Sequence, residues 1–149
     1  DKIKEDPHLH GRLNYIFQTN GQGHTVNAQL EKKEKWAAWR ITGTLKNQGD
    51  TKTPDYFLTN TGKREGNFAI QLEKKINRWQ HSAYYSLFNT TIGILRGAHV
   101  GNLTDLQQAI GKETPFFTNE NFSYGINAPK QEVQHHLIKL MPLRLWYLH

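Results

Sequence analysis

Lys35-Trp-Ala-Ala-Trp-Arg-Ile-Thr-Gly-Thr-Leu-Lys46 decides the fold. In an extended chain successive side chains point to opposite faces. Ala37, Trp39, Ile41, Gly43 and Leu45 therefore share one face, and Arg40, Thr42, Thr44 and Lys46 share the other. Sustained alternation of this kind reads as a strand with one apolar and one polar side. A tilted strand of about ten such residues is also long enough to cross the hydrocarbon core of a bilayer.

The pattern repeats on both sides of this stretch. His10 to Phe17 sets Leu13, Tyr15 and Phe17 against Arg12 and Asn14. Thr19-Asn-Gly-Gln-Gly23 is a tight-turn signal, because Asn-Gly accommodates positive φ. His24 to Lys32 sets Val26, Ala28 and Leu30 against Thr25, Asn27, Gln29 and Glu31. Further strands are expected over 67–73 (Phe68, Ile70, Leu72 on one face), 78–88 (Trp79, Ala83, Tyr85, Leu87 on one face) and 132–140. The fold class is all-β: an antiparallel meander of about six strands, 10–17, 24–32, 35–46, 67–73, 78–88 and 132–140.

The connections differ in length. Lys33-Glu34 and 74–77 are short, whereas 47–66 and 91–129 are long. Short turns on one side and long loops on the other belong to outer-membrane barrels, and Trp36, Tyr56, Phe57, Trp79 and Phe88 near strand ends suit an aromatic girdle. A sheet with one solvated face shows the same alternation, so a soluble β-sheet binding module that uses the 91–129 insert is the competing reading. The insert carries a short helix signal. Thr104 with Gln107 is a capping-box pair, and Gly111 stands where a helix stops.

Composition narrows the classes. The chain has 149 residues, 19 Lys and Arg against 13 Asp and Glu, and no cysteine. Disulfides and thiolate metal sites are excluded. The basic residues sit at turns (Lys32, Lys33, Lys35; Lys74, Lys75, Arg78), a solvated-surface pattern, so no nucleic-acid partner is expected. No apolar run is long enough for a membrane helix, a test that does not reach β-barrels. Asp1 to Pro7 contains no apolar segment of a secretory signal.

No Gly-x-Ser-x-Gly, Walker loop or His-Glu-x-x-His occurs, and no enzyme, catalytic residue, metal or cofactor is expected. His135 and His136 are adjacent on a strand and point to opposite faces, so they cannot share a metal. In the long loops, Arg96 could pair with an anionic ligand or anchor the loop to a carboxylate. His99, Asn102 and Asp105 could contact a ligand, or could pack the loop and cap its helix. Tyr56 offers an aromatic contact or loop packing.

Three stretches carry a family resemblance. Lys52-Thr-Pro-Asp-Tyr-Phe-Leu-Thr-Asn-Thr-Gly62 resembles the first large extracellular loop of TonB-dependent outer-membrane receptors. Ile92-Gly-Ile-Leu-Arg-Gly-Ala-His-Val-Gly-Asn-Leu-Thr-Asp-Leu-Gln-Gln-Ala-Ile110 resembles the second. Phe122-Ser-Tyr-Gly-Ile-Asn-Ala-Pro-Lys-Gln-Glu-Val-Gln-His-His-Leu-Ile-Lys139 resembles that loop's return into the next strand. The resemblance covers about Gly11 to Leu140. It implies residues 1–140 as part of an incomplete transmembrane β-barrel in the bacterial cell outer membrane, without the plug. Its partners would be outer-membrane lipid, the TonB energy-coupling system through the missing plug, and a scarce small ligand such as a metal chelate, for example a ferric siderophore. Met141 to His149 departs from the pattern: Pro142 is expected to end the last strand, leaving 141–149 as an atypical tail.

Overall fold

The computed structural model describes residues 3–95, 101–114 and 116–144. Six long strands form one antiparallel sheet: β1 (His10–Gln18), β2 (Gly23–Lys33), β3 (Ala38–Gln48), β6 (Lys63–Ile76), β7 (Trp79–Gly93) and β9 (Lys130–Arg144). Their spatial order is β1-β2-β3-β6-β7-β9, so each pairs with its neighbour in the meander and the sheet is open. β4 (Thr51–Lys52), β5 (Phe57–Leu58) and β8 (Thr118–Asn119) form a second, small sheet in the order β4-β5-β8. The helix α1 spans Leu103–Ile110.

The strand pairings place Leu13, Ala28, Gly43, Phe68 and Leu87 in one row across the sheet. The adjacent row on the same face is Leu30, Ile41, Ile70, Tyr85 and Ile138. The apolar residues expected to share a face in the first five strands do so, except Ala37, which precedes β3 and is buried. Exposure along β2 is reversed from that of a strand in a water-soluble sheet. Along β2, His24, Val26, Ala28 and Leu30 are exposed, while Thr25, Asn27 and Gln29 are half-buried and Glu31 is buried. Leu13 is 72% exposed, Leu45 69% and Leu140 73%, whereas Glu31 is 4% exposed.

The polar face is held by side-chain pairing. Arg40 on β3 stands opposite Glu31 on β2, and its Nε and Nη2 each lie 2.7 Å from Glu31 Oε2. Asn27 Nδ2 donates to Thr44 Oγ1 at 2.8 Å. Glu65 Oε2 meets Lys63 Nζ at 2.7 Å, and Glu65 Oε1 accepts from Asn67 Nδ2 at 2.9 Å. Among the described residues the buried apolar side chains are only Ile3 and Ala37, both at the short-turn end of the sheet. There the segment before β1 is pinned. Lys33 N–H donates to the Asp6 carbonyl, and the His8 amide, the His8 ring and His10 hold the Asp6 carboxyl down at about 2.

The strand ends differ from the sequence expectation. β6 and β7 pair from Lys63↔Ile92 to Ile76↔Trp79 and are joined by Asn77-Arg78, with Asn77 at φ 53°. Both run beyond 67–73 and 78–88, because each satisfies the other's backbone groups even where alternation fades at Gly66, Asn89 and Thr90. The long connections shorten to 49–62 and 94–129. β9 continues to Arg144, through Pro142 opposite His81, past the expected end at Leu140. β9 is an edge strand, and on an edge a proline can turn its missing N–H away from the neighbour. The tail beyond Arg144 lies outside the described residues.

Two smaller expectations are corrected. The helix N-cap is Asn102, whose Oδ1 accepts from Asp105 N–H at 2.9 Å, and not Thr104. Gly111 does end the helix, but in right-handed geometry at φ −79°. Phe88, assigned to the girdle, is opposite Asn67 and His135 and so belongs to the polar face. Trp36 and Trp79 are exposed at the short-turn end, and Tyr15 and Phe17 are exposed toward the loop end.

Candidate functional site

The β1–β2 turn and both long connections meet at one end of the sheet. Antiparallel order dictates this: odd-numbered connections of a meander share one side. The turn is tight, with Gly21 at φ 78° and Gln22 at φ 42°. Asn20 leaves its backbone role to its neighbours and uses its side chain as a strand mimic. Its Oδ1 accepts from Lys52 N–H at 2.7 Å and its Nδ2 donates to the Lys52 carbonyl at 3.0 Å. Tyr124 reaches the same turn, donating its hydroxyl to the Gln22 carbonyl at 2.8 Å.

Asn60 is the clasp between the two long connections. It adopts φ 59°, which asparagine tolerates. Its Nδ2 donates to the carbonyls of Ile94 (2.9 Å) and Pro129 (2.8 Å), and its Oδ1 accepts from Asn127 N–H at 2.8 Å. One side chain thus fastens the start and the return of the 94–129 loop. Close approach is possible because Gly93 lies against the Asn60 backbone and Gly49 against the Phe122 ring, where a Cβ would collide. Thr59 adds two bonds to the Phe117 carbonyl, from its amide and from its hydroxyl. Phe57, Phe122 and Tyr124 stack edge to face, with centroids 5.7 and 4.8 Å apart.

A recess of about 380 Å³ opens in this seam, lined by Asp50, Thr59, Asn60, Asn119, Ser123 and Asn127 among others. Its walls offer amides, hydroxyls and one carboxylate. Asp50 is 3% exposed, and burial raises its carboxyl above the usual range although Thr61 and Asn60 amides bond to it. Such a lining matches a small polar ligand bound through neutral hydrogen bonds. Among the described residues, no group of three His, Asp or Glu side chains is placed to hold a metal ion.

Of the residues expected to bind a ligand, Tyr56, Asn102 and Asp105 do not line this recess. The Asn102 side chain is spent on starting α1, accepting from the Asp105 N–H, and Asp105 stands in the helix's first turn. Tyr56 closes a local turn through its backbone, its carbonyl accepting from Thr53 N–H and Oγ1, both at 2.8 Å. Arg96 and His99 lie outside the described residues. The recess residues do not stand out in the sequence, because single Asn, Ser and Thr residues in a loop carry no spacing signal. Asn60-Thr61-Gly62 marks a turn and nothing more.

Replacing Asn60 with alanine is expected to loosen the 94–129 loop. Three hydrogen bonds at about 1 kcal/mol each are lost. Amide exchange should speed up at Ile94 and Asn127 while the centres of β2 and β3 stay protected. Unchanged exchange at both loop ends would show that the clasp is not needed.

Compared with protein-family models, curated proteins and solved structures, the chain matches none.

Proposed function

We propose that this chain is part of a TonB-dependent outer-membrane transporter, with the apolar face of the sheet toward lipid, the polar face toward the lumen, and the loop end outside the cell. The observation that carries the reading is the uncovered apolar face of the sheet. β1, β2, β3, β6 and β7 present an apolar face with no covering layer among the described residues, and on the opposite face Arg40 pairs with the buried Glu31. In water such a surface is a liability. In a bilayer it is the correct solvent match, since barrel strands alternate apolar-out and polar-in. Strand length agrees: the 11 residues of β3 extend about 36 Å, or about 28 Å along the membrane normal at a tilt of about 40°.

The clustering of both long connections at one end supports the same reading, because barrels of this kind carry long loops outside and short turns inside. The open edges at β1 and β9 fit strands supplied by the rest of a larger barrel. The recess around Asp50 and Asn60 is then a ligand-contacting surface of the outer loops, for a scarce small ligand such as a metal chelate gripped by polar groups on its periphery.

The test uses Trp39, which lies on the apolar face one row from Ile41, in a variant with Trp36, Trp79 and Trp146 replaced by phenylalanine. In phosphatidylcholine vesicles with acyl chains brominated at mid-depth, tryptophan emission should be strongly quenched relative to unbrominated vesicles. A monodisperse monomer that melts cooperatively in plain buffer and shows no quenching would overturn the reading in favour of a soluble β-sheet binding module.

A further inference from the structure

We propose that a groove in the apolar face beside Gly66 holds one membrane lipid with a phosphate-bearing head group, its acyl chain in the groove and its phosphate on Arg64. This inference rests on the transporter reading, which turns that face to lipid. The groove is an open trough of about 770 Å³. It opens where Gly66 interrupts the row Val26, Leu45, Gly66, Asn89 set by the strand register. A Cβ at Gly66 would meet Leu45 Cδ2 only at 3.7 Å, so the missing side chain leaves free space.

The lining is ordered by depth. Val26, Leu45, Phe68 and Leu87 make a mainly apolar floor, with Asn89 at its β7 side. One row nearer the loop end the lining changes to His24, Asn47, Arg64 and Thr91, which the register places side by side. A chain followed by a polar head group meets these two zones in the same sequence. The mouth carries cationic charge. Arg64 Nη2 donates to the Tyr124 carbonyl at 3.1 Å, which steadies a guanidinium that has five N–H donors in all. Arginine presents two parallel donors that match phosphate geometry. His24 is oriented by Tyr15, whose hydroxyl lies 2.7 Å from His24 Nδ1, so Nε2 is its second polar atom. Glu65 also borders the groove, but its carboxylate is paired with Lys63 and Asn67 on the opposite face and does not oppose an anion at the mouth.

The experiment is native mass spectrometry of the chain released from detergent micelles containing equal amounts of phosphatidylglycerol and phosphatidylcholine. Retention of one phosphatidylglycerol is expected in about fivefold preference, the ratio one cation gives at a membrane surface. Arg64→Gln should bring the two lipids to equality. Lys74→Gln, on the same face at the far end of β6, should leave the preference intact. Added inorganic phosphate at millimolar concentration should not displace the lipid, and displacement would overturn the assignment to a lipid. If Arg64→Gln fails to fold, salt decides: a preference abolished near 1 M salt, where screening acts within about 3 Å, upholds the site, and a salt-independent preference overturns it. Bromine quenching without any phosphatidylglycerol preference would sink this site alone. Absence of quenching would sink the transporter reading and this site with it.

Discussion

Replacing Arg40 with alanine should destabilise the chain in detergent by about 3–5 kcal/mol, the cost of leaving one member of a buried ion pair alone. The expectation comes from accessibility and geometry together. Glu31 is 4% exposed, and both guanidinium contacts from Arg40 fall at 2.7 Å on one oxygen. Gln29 Nε2 lies farther, at 3.5 Å, and cannot take over the charge. The two residues face each other across the β2–β3 register, so the pair also fixes which residues of the two strands align. Lys32–Glu34 is the internal control. Its side chains are each about a third exposed, and such surface pairs contribute about 0–1 kcal/mol. Urea titration followed by tryptophan emission would measure both. Arg40→Met combined with Glu31→Leu should recover most of the loss, since no charge is then buried unpaired. A loss below about 1 kcal/mol for Arg40→Ala would mean that Glu31 is hydrated and that the polar face is open to water.

The division of the strands into faces could be read from sequence, because side-chain alternation has a fixed period of two and needs no partner. Leu13, Val26, Ile41, Phe68 and Leu87 share a face for that reason alone. Strand ends could not be read so well. Where they fall depends on what the next strand offers: β7 reaches Gly93 because β6 begins at Lys63, and Pro142 stays in β9 because no strand is paired on its far side. Phe88 shows the limit of composition. An aromatic near a strand end suggests a girdle, but parity sends its ring to the polar face. Asn102 and Thr104 both suit an N-cap, and Asn102-x-x-Asp105 gives the side chain an amide at the right distance. The clasp at Asn60 was out of reach. Its partners lie 34 to 69 residues away, and only the fold brings them together.

Ile41→Arg should cost about 2–4 kcal/mol of stability in lipid vesicles, and Thr42→Arg far less, although the two positions are adjacent. Ile41 lies in the middle row of the apolar face, between Leu30 and Ile70, with further apolar rows on either side. An arginine there must either sit in hydrocarbon or bend toward a boundary several rows away. Thr42 lies between Gln29 and Ala69 on the polar face, where the register already accommodates Arg40 one step along. The contrast between neighbours separates solvent from packing. Overpacking by a long side chain is felt on either face, but only a hydrocarbon environment penalises the charge on one face and spares it on the other. Folding into vesicles from urea, with the two variants titrated side by side, measures the difference. Nearly equal effects would place water on both sides of β3 and return the sheet to a soluble module. A penalty confined to Ile41, and reduced when arginine is moved to Leu45 nearer the loop end, would follow the depth dependence of a bilayer, which no protein layer packed on that face would reproduce.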